Sequence, residues 1–222
     1  MNLRHAAAEA IGTCALVLAG TAAIVVNDLY GGVLGHTGIA FAFGAVVMVM
    51  IYAIGDISGA HMNPAVTIAF WVSKRLPAAK VLPYAAAQFV GALAASLLVA
   101  VWFPAHDTLG ATVPSGNLLQ SLTVEIVATA ILMFVILGVS EGAREKGIMA
   151  GVAVGGTVAL MALVFGPVSG ASMNPARSFG PALVSGEAST LWLYFVGPFI
   201  GALLAVPACR IIGREDCCAG EC

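Results

Sequence analysis

Two asparagines are the residues of this chain best suited to bind a small polar molecule. Each begins an Asn-Pro-Ala triplet, and the triplets start at positions 63 and 174, 111 apart in a chain of 222 residues. Proline suits the first turn of a helix and Asn directly before it is a good N-cap. Each triplet is therefore predicted to begin a short helix whose positive dipole end and amide N–H donors face a shared site. The triplets are Asn63-Pro64-Ala65 and Asn174-Pro175-Ala176.

A strip of small residues precedes each triplet with the same pattern in both copies. Positions 58–62 read Ser-Gly-Ala-His-Met and positions 169–173 read Ser-Gly-Ala-Ser-Met. An extended strip cannot satisfy its own carbonyl groups, which in an apolar environment must find protein donors or line a wet path. The residues expected to line such a path are Gly59, Ala60, His61 and Met62 in the first copy and Gly170, Ser172 and Met173 in the second.

The composition indicates that these strips lie in a membrane. Hydrophobic residues make up 60% of the chain and charged residues only 9%, whereas a soluble domain carries about a quarter charged residues. A net charge of −2 gives no reason to expect a nucleic-acid partner. The composition therefore predicts one polytopic domain over 1–216 with the lipid bilayer as its solvent, and no pattern calls for a cofactor.

Six apolar stretches of about 20 residues are each long enough to cross a hydrocarbon core of about 30 Å. The segments that follow the two triplets are too short to do so. We expect an all-α membrane protein with six transmembrane helices and two re-entrant half-helices. The long stretches are 6–26, 36–57, 78–102, 118–139, 147–165 and 190–212, and the short ones are 63–72 and 174–184.

Three spans per half predict an inverted repeat, with halves of about 1–105 and 116–213, because an odd number of spans brings the second half in from the opposite side. Eight of the nine Lys and Arg residues then fall on one face of the membrane. By the positive-inside rule that face is cytoplasmic, so both termini are expected inside the cell. The exception is Arg177, three residues after Asn174, which is expected to bind carbonyl groups while aiming donors into the lumen.

Two carboxylates occupy matching positions in the first span of each half. Glu9 is followed by Thr13 and Glu125 by Thr129 at the same spacing. Carboxylates within a membrane are often part of an ion or proton relay. They are also well suited to accept hydrogen bonds from the backbone of a re-entrant loop. One carboxylate per loop favours the second role, and we expect Glu9 and Glu125 to brace the loops.

Convergent donors at the midplane hold a passing oxygen atom and repel cations and protons. The chain is therefore predicted to form a pore for uncharged solutes. No Ser/His/Asp or paired-carboxylate constellation lies on one helical face, so the pattern does not indicate an enzyme. A secondary transporter for a small neutral solute is the alternative from another class, because inverted repeats with broken helices also build transporters.

The motifs resemble those of the aquaporin, or major intrinsic protein, family over nearly the whole chain. The likeness rests on both triplets, the paired Glu positions and the sequence Ala176-Arg177-Ser178. The stretch 166–173 is especially similar to the nodulin-like intrinsic proteins of plants and their bacterial relatives. The resemblance implies a pore in each subunit of a homotetramer, and suggests a bacterial inner-membrane protein.

By the same resemblance, the selectivity filter comprises Phe43, Ala162, Ala171 and Arg177. Water-selective members have His at the position of Ala162. Two alanines opposite Phe43 and Arg177 imply a wider filter that passes glycerol, urea, or metalloid acids such as arsenous or boric acid, as well as water. A strictly water-selective channel remains the alternative.

The chain ends in a cysteine-rich segment, 217–222, that is predicted to be cytoplasmic. Cys217, Cys218 and Cys222 are close enough in sequence to bind a soft metal or trivalent arsenic. Six residues at a terminus, without a surrounding fold, more often have no such function. No firm metal site is predicted.

Overall fold

The computed structural model describes residues 3–140 and 144–212, with the side chains of 144–147 left out of the description. The three tail cysteines, which are only candidate ligands for a soft metal, lie outside these residues. The described chain is helical and contains no strand. Its helices are α1 (Leu3–Leu29), α2 (Gly35–Ser58), α3 (Pro64–Val72), α4 (Ala78–Trp102), α5 (Leu118–Val139), α6 (Arg144–Ser169), α7 (Pro175–Ser185) and α8 (Leu193–Ile211).

Six of these helices are long and apolar enough to cross a membrane. The other two, α3 and α7, have 9 and 11 residues and begin at the prolines of the two triplets. The predicted fold class, with six spanning helices and two half-helices, is confirmed. The largest difference in bounds is at α6, which continues to Ser169 and not only to residue 165.

The extension of α6 depends on a contact that the sequence did not suggest. Pro167 lies inside the helix and has no N–H to bond to the carbonyl group of Leu163. The Nε2 atom of His36, in the first turn of α2, lies 2.7 Å from that carbonyl oxygen and supplies the missing donor. Gly166 leaves room for the imidazole, because a Cβ there would lie 2.8 Å from His36 Cε1.

The contact between α2 and α6 is symmetric with respect to the two halves. A Cβ at Gly44 of α2 would lie 2.5 Å from the carbonyl oxygen of Gly155 in α6, and a Cβ at Gly155 would lie 2.5 Å from that of Gly44. These two glycines are 111 positions apart, the same offset as the triplets. The two halves thus meet at a close helix crossing between small residues. At this crossing, equivalent positions of α2 and α6 are in contact with each other.

Candidate functional site

The two half-helices begin end to end, and each Asn serves both its own helix and the opposite half. The side-chain oxygen of Asn63 accepts from Ala65 N at 2.9 Å, and that of Asn174 accepts from Ala176 N at 3.0 Å. One amide hydrogen then bonds across the centre: Asn63 Nδ2 donates to Met173 O at 2.7 Å, and Asn174 Nδ2 donates to Met62 O at 2.8 Å. Because an amide has two N–H groups, each Asn keeps a second donor for the lumen.

The strips before the triplets have unusual backbone conformations. Ala60, Met62, Ala171 and Met173 have φ angles of 49°, 49°, 41° and 52°. Left-handed backbone at a residue with a Cβ costs roughly 1–2 kcal/mol. Four such residues therefore need support from elsewhere in the molecule. Positions 59–62 and 170–173 are not helical, so their carbonyl oxygens have no helical partners.

Glu9 of α1 supplies that support to the first strip. One carboxylate oxygen accepts from Ser58 Oγ at 2.7 Å and His61 N at 2.9 Å, and the other accepts from Met62 N at 2.7 Å and Gln88 Nε2 at 2.8 Å. The carboxylate is completely buried. One side chain thus accepts hydrogen bonds from all four donors, as expected of a residue that stabilises the strip.

Glu125 of α5 repeats the arrangement for the second strip. Ser169 Oγ and Ser172 N donate to one carboxylate oxygen at 2.8 Å each, and Met173 N donates to the other at 2.8 Å. Glu125 is also completely buried, and neither carboxylate is among the residues that line the cavity. This geometry favours the loop brace over the relay for both residues.

Two tyrosines complete the braces and were missed by the sequence reasoning. Tyr84 Oη donates to Ser58 O at 2.9 Å, and Tyr194 Oη donates to Ser169 O at 2.7 Å. Both tyrosines are buried and satisfy the carbonyl group of the first residue of each strip. The sequence does contain this equivalence, because the alignment that matches 88–93 with 198–203 also matches position 84 with position 194.

The two strips differ at the position just before the methionine. His61 contacts Thr67 Oγ1 through Nδ1 at 3.1 Å and stacks on Phe70 with ring centroids 4.5 Å apart. Its counterpart, Ser172, contacts Ser178 Oγ, which in turn accepts from Thr112 Oγ1 at 2.7 Å. The first strip is therefore packed by aromatic rings, and the second is tied to the loop between α4 and α5.

One elongated cavity runs between the halves past both asparagines. All four residues predicted for the filter lie on its wall, as do both methionines of the strips. Gly170 and the Pro and Ala residues of the triplets, which were also predicted to belong to the pore, are not among the residues that line it. The strip and filter residues on the wall are Phe43, Gly59, Ala60, His61, Met62, Ala162, Ala171, Ser172, Met173 and Arg177.

Arg177 is fixed on two sides in the described part of the chain. Its Nη1 atom donates to Gly110 O at 2.9 Å, and its guanidinium carbon lies 4.8 Å from the centroid of the Phe43 ring. The residue is only 2% exposed, and its Nε atom has no partner among the described residues. The guanidinium therefore holds hydrogen-bond donors at the cavity wall and forms no ion pair with the residues that the structure describes.

The fold and the site together define a membrane pore protein with two half-helices that meet at their N-termini. The comparisons with known proteins agree. The model of the family described as "Major intrinsic protein" matches residues 1–208. The chain belongs to this family, which is the family of the aquaporin channels.

The similar sequences include several nodulin-like plant aquaporins. The chain is 48% identical over 206 residues to aquaporin NIP1-1 of Zea mays, a match that covers 92% of this chain and 73% of the relative. It is 44% identical over 215 residues to nodulin-26 of Glycine max, covering 96% and 79%. The predicted likeness to nodulin-like members is confirmed.

A solved structure supports the fold independently. The X-ray structure of the aquaglyceroporin from Plasmodium falciparum matches with a TM-score of 0.85 and covers 97% of each chain. Because the identity is 23%, this match speaks for the fold alone. The described residues hold no group of three or more His, Cys, Asp or Glu side chains that could bind a metal ion.

Proposed function

We propose that this channel passes water together with uncharged solutes wider than water, and excludes protons and ions. The solutes are of the size and polarity of glycerol, urea, arsenous acid or boric acid. The observation that carries the proposal is that Phe43, Ala162, Ala171 and Arg177, which we call the filter ring, all line the same cavity. The guanidinium of Arg177 lies 4.8 Å from the centroid of the Phe43 side chain, and the other two side chains are single methyl groups.

The chemistry of the ring suits a small polyol or a hydroxylated acid. Arg177 and the second amide hydrogens of the two asparagines offer donors to a solute oxygen, and the strip carbonyls offer acceptors to its hydroxyl groups. Phe43 and the alanine methyl groups accept the C–H side of the same molecule. A histidine in place of Ala162 would fill the space that such a solute needs.

Exclusion of ions follows from the donors that converge at the centre. Asn63 and Asn174 each cap a helix whose positive end points into the pore. A water molecule at this level accepts hydrogen bonds from both sides, so it cannot pass a proton along the file. A cation meets two positive dipole ends and the Arg177 charge in a desolvated passage.

The setting we propose is a bacterial inner membrane, with both termini cytoplasmic and four copies assembled as a homotetramer. The charge distribution supports the orientation. Large apolar side chains such as Leu82, Val101 and Leu204 are exposed on the outer faces of the long helices, as lipid or a neighbouring copy requires. We assign no metal-binding role to the terminal cysteines, which lie outside the described residues.

Stopped-flow light scattering on proteoliposomes tests the proposal. Water, glycerol, urea and arsenous or boric acid are compared with protein-free liposomes of the same lipid. We expect fast, non-saturating flux of water and at least one larger solute, without dependence on a proton gradient. Water flux alone would leave a strictly water-selective channel, whereas saturable uptake driven by a proton gradient would indicate a secondary transporter.

A further inference from the structure

The loop between α4 and α5 contains a histidine, His106, that is not part of the candidate site. His106 is nearly buried, with a side chain 9% exposed. Its Nδ1 atom lies 3.0 Å from the backbone N of Leu109, and its Nε2 atom lies 3.3 Å from a carboxylate oxygen of Asp28 at the end of α1. The imidazole thus joins the loop to the first helix.

These two contacts determine which ring nitrogen carries the proton. The backbone N–H of Leu109 can only donate, so Nδ1 must be the acceptor and cannot carry a hydrogen. Nε2 then carries the hydrogen and donates to Asp28, as expected where a carboxylate orients an imidazole. The half-exposed Asp28 therefore orients the ring, and the ring holds the amide of Leu109.

The amide that His106 holds is next to the residue that binds the filter arginine. Leu109 and Gly110 have φ angles of 52° and 73°, so this turn needs external support, particularly at Leu109, which has a Cβ. The carbonyl oxygen of Gly110 accepts from Arg177 Nη1 at 2.9 Å. The orientation of that carbonyl is fixed by the turn that His106 stabilises.

We propose that His106 is a positioning residue for the filter, acting on Arg177 through Leu109 and Gly110. This inference rests on the proposed role of Arg177 in selectivity. The packing of Leu109 against Val25 and Val99 anchors the side of the turn, and a hydrogen bond from Ala111 N to Thr108 O at 2.9 Å closes it. The His106 bond holds the Thr108–Leu109 peptide inside this closed turn. Without that bond, the guanidinium loses its carbonyl partner and turns into the lumen to find another.

The test compares three substitutions that separate the two functions of the ring. His106→Asn keeps an acceptor oxygen near the position of Nδ1. His106→Gln keeps a polar side chain but places its carbonyl near Nε2, away from the amide of Leu109. Asp28→Asn weakens the orienting contact and leaves the ring in place. All three retain a polar residue, and all are purified and reconstituted as the full chain.

We expect His106→Gln to lower water permeability by about threefold and glycerol permeability by more, because the displaced guanidinium narrows the filter. Amide hydrogen exchange at Leu109 and Gly110 should accelerate by about fivefold. His106→Asn should restore both properties to within about twofold of the wild type, and Asp28→Asn should have an intermediate effect.

Two results would overturn the proposal. One is a His106→Gln channel with wild-type water permeability and wild-type exchange at Leu109. The other is a His106→Asn channel that is as impaired as His106→Gln, which would show that the imidazole acts only through packing. Water permeability and amide exchange do not depend on glycerol passing the channel. A wild-type channel that rejects glycerol would therefore contradict the proposed function while leaving the test of His106 intact.

Discussion

The cavity wall includes two sets of four residues at equivalent positions of the two halves, which we call rings, and the two sets differ in chemistry. The repeat offset of 111 relates Phe43, Ala162, Ala171 and Arg177 to Val154, Ile51, Ala60 and Val66. All eight residues line the cavity. One ring contains an aromatic face, two methyl groups and a guanidinium, whereas the other is entirely apolar.

The scaffold around these rings is the same in both halves. Each half has a buried glutamate, a strip with left-handed residues and a tyrosine that donates to the carbonyl group of the first serine of the strip. The features that the two copies share therefore build the pore. The positions at which the copies differ determine the chemistry at its two ends. Selectivity is expected at the ring that carries the charge and the aromatic face.

The largest expected effect is on the shared scaffold. In Glu9→Gln or Glu125→Gln, an NH₂ group replaces one carboxylate oxygen and meets a buried backbone N–H that has no other acceptor. Hydrogen bonds to charged groups contribute about 1.5–3 kcal/mol each, so we expect each variant to lose roughly 3 kcal/mol or more. Thermal unfolding in detergent measures the loss.

Asp56 is the matched control, because its carboxylate is exposed near the end of α2. Asp56→Asn should change the melting temperature little. Similar losses for Glu9→Gln and Glu125→Gln would show that the two braces are equivalent. An unaltered melting temperature for either would contradict its role as a brace.

Replacing the arginine of the charged ring with its counterpart from the apolar ring should remove the discrimination between solutes. Arg177→Val places the residue found at position 66 into the filter and removes the cation. We expect urea and glycerol permeability to rise about threefold and proton leakage to increase about tenfold. Light scattering and a pH-sensitive dye inside the vesicles measure these rates. Retained proton exclusion would assign that property to the two asparagines and helix ends alone.

Narrowing the filter should separate the solutes by size. In Ala162→His an imidazole occupies the space opposite Phe43, so glycerol permeability should fall about tenfold and water permeability about twofold. Both are measured on the same vesicles. Ile51→His adds the same group to the other ring and serves as the comparison. Equal losses of water and glycerol in Ala162→His would mean that position 162 is outside the narrowest point.

The smallest expected effect concerns the two ends of the α2–α6 contact. His36 bonds to Leu163 O at one end, and Tyr52 Oη donates to Ile148 O at 2.9 Å at the other. His36→Ala and Tyr52→Phe should each cost about 1 kcal/mol. Only His36→Ala should alter the glycerol-to-water ratio, because Leu163 adjoins Ala162. An unchanged ratio would limit His36 to a structural role.

Much of this architecture was predictable from the sequence, because the apolar lengths, the triplets and the paired glutamates each obey a local rule. The assignment of Phe43 and Ala162 to the proposed filter required a family resemblance, since a lone Phe or Ala within an apolar helix does not indicate that its side chain lines a cavity. The roles of Tyr84 and His36 depend on contacts between distant elements. Because the fifth span was predicted to end at residue 165, Pro167 was not expected inside a helix, and the need for a donor to Leu163 O appears only in the structure.

The reciprocal bonds from each Asn to the opposite strip have a kinetic consequence. Asn63 holds Met173 and Asn174 holds Met62, so neither half can tilt against the other without breaking both bonds. Alternating access requires such tilting. Transport through this molecule therefore has no conformational cycle to complete for each solute, and its temperature dependence should be close to that of diffusion in water.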